Sequence, residues 1–138
     1  GHEKRGLPLV KAICDRLTVP NKHRQLAMSV TEFHLHCHRA LELKPATLLK
    51  LFQSIGAIRS PEKLIDFLTC CEADIKGRAG FEDAAYPSND YLLAALEAVS
   101  QADISDLVAQ GISGAEIGKQ LNQRQIQHLT EFKTNNGI

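Results

Sequence analysis

The sequence predicts an all-α fold, a bundle-like array of about six to eight helices. Three observations lead there. Apolar residues recur at three- and four-residue spacing along most of the chain, which gathers them on one side of a helix. Ala, Leu, Glu, Lys and Gln dominate, and no stretch keeps the alternation of a half-buried strand. Pro and Gly mostly fall between the periodic stretches, where they punctuate. With 138 residues, 43% of them hydrophobic, such helices bury a core as one domain or as two small packed lobes.

The first six residues, Gly1 to Gly6, read as the middle of a loop, and with no initiator Met the chain is expected to be a fragment or to have lost sequence upstream. A first helix then opens with Pro8 in its first turn and carries Leu9, Val10, Ile13, Cys14 and Leu17 on its apolar side; Pro20 ends it. Asn21 offers a cap for a second, with Leu26, Val30, Phe33 and Cys37 on one face. A third runs from Pro45 through Leu48, Leu49, Leu51, Phe52 and Ile55 to Gly56. Ser60-Pro61-Glu62 is a start signal, a capping Ser with Pro and Glu behind it, for a helix holding Leu64, Phe67, Leu68, Cys71 and Ile75. From Gly77 to Asn89, with Ser88-Asn89-Asp90 at its end, the composition is that of a loop. Helices resume at Tyr91 to Val99, Ile104 to Ala109 and Ala115 to Phe132, the last with a break near Asn122.

Composition excludes as much as it suggests. Sixteen basic residues cancel sixteen acidic ones, so no global field steers the chain to nucleic acid, and any RNA contact rests on local patches. The four cysteines sit in helix-patterned segments without CxxC spacing, as reduced, buried thiols of a cytoplasmic protein do. No apolar run approaches the roughly 18 residues of a membrane span, and no signal sequence opens the chain.

Three clusters carry chemistry. In Phe33-His34-Leu35-His36-Cys37-His38, His34 and His38 share a helix face while His36 points elsewhere. They are either surface histidines or a two-imidazole metal clip, and no carboxylate at fixed spacing completes the clip. In Glu72 to Glu82, Lys76 and Arg78 either complement a helix C-terminus or bind phosphate, Arg78 with Asp74 as its alternative partner. In Gly111-Ile112-Ser113-Gly114-Ala115-Glu116, a glycine turn leads into a helix with Lys119 one turn on. That start is either an anion site at free amides or a capping box of Ser113 and Glu116. Gly118 within the helix implies close packing against another backbone. No nucleophile–base pair, phosphate-cradling loop or acid/base carboxylate pair stands out, so no catalytic residue is assigned.

Read together, three stretches resemble one family. Gly1-His2-Glu3 with Glu32-Phe33-His34 resembles the second half of an HD-type phosphohydrolase domain. Glu72 to Glu82 (EADIKGRAGFE) and Ile112 to Leu121 (ISGAEIGKQL) are similar to segments of gammaproteobacterial CCA-adding enzymes, in the family's order. The resemblance implies a parent that rebuilds the tRNA 3′-CCA end from CTP and ATP, with nucleotidyl transfer in an N-terminal domain outside this chain. It implies that residues 1–80 are the C-terminal half of the HD domain and 81–138 a helical tail that binds tRNA. It implies a divalent metal, Mg or a transition metal, in the parent, with His2, His34 and His38 as an incomplete ligand set and none held tightly by the fragment. The His–Asp pair that names the domain is missing, and Leu35 stands where an Asp is expected after His34. Lys76, Arg78, Gly114, Lys119 and Arg124 are then the expected RNA contacts. Two rivals stand beside this reading: a helical interaction module without an RNA role, and a stand-alone metal-dependent phosphohydrolase using the three histidines.

Overall fold

The computed structural model describes residues 1–138 and is entirely helical, with seven α-helices and a single 3-10 turn. They are α1 (His2–Arg16), α2 (Asn21–His38), the 3-10 turn (Ala40–Glu42), α3 (Pro45–Ile55), α4 (Glu62–Lys76), α5 (Ser88–Ser100), α6 (Ser105–Ala109) and α7 (Ala115–Asn135). No helix is long and apolar enough to cross a membrane.

The core centres on α3. Leu48, Leu49, Leu51, Phe52 and Ile55 are all buried, so this helix is apolar over most of its circumference and needs neighbours on several sides. They are α2 and α4 on one side and α7 on the other. Phe52, Phe67, Leu64, Leu92, Val99 and Leu129 have essentially no exposed surface and belong to one contiguous cluster that runs from Cys37 on α2 to Leu129 on α7. Gly56, at φ +74°, ends α3 in the left-handed conformation glycine tolerates best. Lys133 ties the far end of α7 down: its Nζ donates to the Leu41 carbonyl at 2.7 Å and to the Tyr91 hydroxyl at 3.3 Å.

Several sequence expectations are corrected. Residues 2–6 are helical and not a loop, and Pro8 lies inside α1 on its exposed side. The apolar residues of α1 divide between two faces. Leu7, Val10 and Cys14 turn toward α2, whereas Leu9, Ile13 and Leu17 stay exposed because α1 packs chiefly on α2. Asn21, Ser60 and Ser113 are not side-chain caps; the positions before the helices are Pro20, Pro61 and Gly114. Ser60 caps α4 with its backbone carbonyl instead, accepting from Lys63 N–H at 3.0 Å. Ser88-Asn89-Asp90 form the first turn of α5, and α7 passes Asn122 without a break.

Candidate functional site

The histidine cluster is assembled by α1 and α2. Gly6 of α1 sits so close to α2 that a Cβ there would lie 2.9 Å from Thr31 Cγ2, and this close crossing brings His2 beside His34. Their Nε2 atoms are 3.1 Å apart. His34 Nδ1 is 2.9 Å from the Val30 carbonyl, which can only accept, so Nδ1 donates; in the neutral imidazole that tautomer leaves the lone pair on Nε2. A backbone acceptor behind an imidazole is the arrangement that orients metal-ligating histidines.

His38 lies next on the same face, its ring 5.7 Å from that of His34, but both of its nitrogens are occupied. Nε2 is 2.9 Å from Asp74 Oδ2, and Nδ1 is 2.9 Å from the Tyr86 hydroxyl. Tyr86 also reaches Cys37 Sγ at 3.2 Å. The hydrogen bond from His38, and then Arg78 at 3.0 Å, hold the Asp74 carboxyl below its usual range. Burial, then its bond to Cys37, pushes the Tyr86 hydroxyl up. A polar network therefore joins α2, α4 and the segment between α4 and α5. Sequence reasoning paired Asp74 only with Arg78 and missed both Asp74 and Tyr86 as partners of the histidines. The contacts are separated by 36 and 48 residues, beyond the reach of any local spacing.

The structure thus brings His2 and His34 together and keeps His38 apart as a structural link. No three His, Cys, Asp or Glu side chains stand together in a geometry that could hold a metal ion. Two imidazole nitrogens at 3.1 Å fit one edge of a coordination sphere and do not close it.

The basic candidates fall into two groups. Lys76 pairs with Glu72 at 2.7 Å and Arg78 with Asp74. Arg124 forms a fork with Asp106, at 2.6 and 2.7 Å, and also donates to the Asp103 carbonyl, which clamps α6 onto α7. The same fork, with the Arg124 guanidinium bonded to it, holds Asp106 below the usual carboxylate range. Lys119 is exposed and takes part in no ion pair. Gly114 precedes α7 at φ +63°, ψ −140°, a conformation almost confined to glycine, with open space where a side chain would be. Gly118, expected to meet another backbone, also has no atom within 4 Å of a Cβ position.

No protein-family model and no solved structure matches the chain. Similarity along nearly its whole length is found instead with bacterial proteins named Multifunctional CCA protein. The chain is 47% identical over 133 residues to that of Thioalkalivibrio sulfidiphilus, covering 96% of this chain and 32% of that protein. It is 44% identical over 134 residues to that of Teredinibacter turnerae, with 97% and 33% covered. For Alcanivorax borkumensis the identity is 48% over 132 residues, with 96% and 32% covered. The all-helical chain is similar to multifunctional CCA proteins along nearly its whole length. It spans about a third of the length of the curated relatives it matches.

Proposed function

We propose that this chain is the tRNA-gripping C-terminal region of a CCA-adding tRNA nucleotidyltransferase. In that reading, CTP and ATP are used by a domain outside residues 1–138, and to nucleotidyl transfer the chain contributes position and not chemistry. The observation that carries it is the 44 to 48% identity to Multifunctional CCA proteins along nearly the whole chain. His2 and His34 supply part of an HD-type phosphohydrolase site. Its remaining ligands lie elsewhere in the parent, where a divalent metal would supply a polarised phosphate and an activated water.

Contacts to tRNA phosphates fix register without reading sequence, so cations facing solvent are what the role needs. Lys119 meets that condition directly. Lys76 and Arg78 have side chains 41% and 54% exposed beside their carboxylates, which leaves outward N–H groups for phosphate. A titration against bulk tRNA and duplex DNA of equal charge, at two salt concentrations, tests the reading. Salt-sensitive binding that prefers tRNA supports it, and equal or absent binding overturns it.

The pairing of Arg78 and Arg124 favours a second reading, an interaction module in which these charges only hold helices together. Lys119→Glu separates the two. As an unpaired surface residue it leaves melting unchanged in either case, whereas tRNA affinity drops only if the chain grips RNA.

A further inference from the structure

A cleft of about 660 Å³ opens between α7 and the segment that joins α3 to α4. The size is within the range of small-ligand sites. Arg59 and Lys63 stand on one wall, and neither forms an ion pair within the chain. Gly118, Asn122 and Gln125, spaced four and three residues apart on one face of α7, form the other. Gln53 Nε2 donates to Asn122 Oδ1 at 2.9 Å, leaving the Gln53 oxygen and the Asn122 amide nitrogen for an outside partner.

Three features single out this cleft. The three other principal clefts each include Glu or Asp in their walls, and this one has none, in a chain with equal numbers of acids and bases. Gln125 is 5% exposed and lines the cleft, and its carboxamide is not among the buried polar atoms left without a partner, so its polar end meets the cleft and not the core. Gly118 weakens α7 without allowing any closer packing; what it leaves is room on the cleft side.

We propose that this cleft binds one nucleotide unit of an RNA. Its phosphate lies between Arg59 and Lys63, and its base edge or ribose hydroxyl meets the carboxamides of Gln53, Asn122 and Gln125. Carboxamides donate and accept at once, as base edges and ribose hydroxyls require, whereas an acidic peptide would use the cations alone. The proposal rests on the reading of the chain as a tRNA-gripping region and adds where the grip is seated.

The test is a titration of the intact protein with bulk tRNA across several salt concentrations, for wild type, Arg59→Gln/Lys63→Gln and Gly118→Leu. Both variants are expected to weaken tRNA binding by about tenfold, and the charge-removing one to lower the log–log salt slope by about 0.7 to 0.9, the value of the one phosphate held between the two cations. Gly118→Leu fills the cleft without touching a charge, and its melting temperature is expected not to fall. Wild-type affinity and slope in both variants, with tRNA bound by the wild type, overturns the cleft and leaves the broader reading standing. A wild type that binds no tRNA overturns both.

Discussion

At the residue scale, a few positions carry constraints that their neighbours do not. Thr18, in the turn between α1 and α2, is β-branched at φ +51°, where glycine is the easier occupant. Thr18→Gly should therefore stabilise the chain by about 0.5–1 kcal/mol, read as a higher denaturant midpoint at an unchanged slope. Gly6 is the opposite case. Its hydrogen faces Thr31, which is stiff at χ1 and held by its own bond to the Ala27 carbonyl at 2.7 Å. Gly6→Ala gains about 1 kcal/mol of helix propensity but overpacks the crossing by about 1–3 kcal/mol. Net destabilisation, recovered by Thr31→Ala in the same chain, is the expected result of a thermal melt. Asp74 adds a pH dependence. Its carboxyl lies below the ordinary 3.8 because His38, then Arg78, favour the ionised form. The folded value being lower than the unfolded one, the stabilisation is present above the unfolded value and is lost as pH falls through the folded one. Between about pH 5 and about pH 3, wild type should lose more stability than Asp74→Asn, measured by denaturant titration at each pH.

At the element scale, what a helix touches decides what its sequence pattern means. α3 is apolar over most of its surface because it is covered by α2, α4 and α7. α1 has apolar residues on two faces but one principal partner, so Leu9, Ile13 and Leu17, at 66%, 49% and 62% exposure, add little to folding. Replacing these three with Ser should change stability by about 0.5 kcal/mol or less per site, whereas Cys14 is buried against α2 and will not tolerate the same change. The five-residue α6 is too short to hold itself and depends on the Arg124–Asp106 fork. Arg124→Ala should speed amide exchange in residues 103–111 without altering exchange in α3, a local opening seen by hydrogen-exchange mass spectrometry.

At the scale of the whole molecule, one apolar cluster links residues as distant as Cys37 and Leu129. Leu129 is fully buried between the helices that α7 crosses, so Leu129→Ala should cost about 2–5 kcal/mol and unfold the chain in one transition. The two-donor histidine pair leads to a weaker expectation for metal than a closed site would. A divalent ion added to the 138-residue chain should be lost on extensive dialysis; a stoichiometric ion that survives would mean that donors beyond His2 and His34 close around it.

The sequence by itself determined the helices and most of the core: periodic Leu, Phe and Ile side chains cannot reach water without losing burial energy, so their spacing dictates both helix and buried face. It also determined the stops at Gly56 and Gly111, where only a residue without Cβ adopts the positive φ at little cost. Tertiary structure decided the rest. Whether Leu9 faces protein or water depends on a partner helix, and whether Gly118 serves packing or leaves a cleft depends on what lies opposite. That His38 is held by Asp74 and Tyr86, while His34 meets His2, follows from how α1, α2 and α4 cross. Those pairings join residues more than 30 positions apart, and periodicity within a helix carries no information about such a distance.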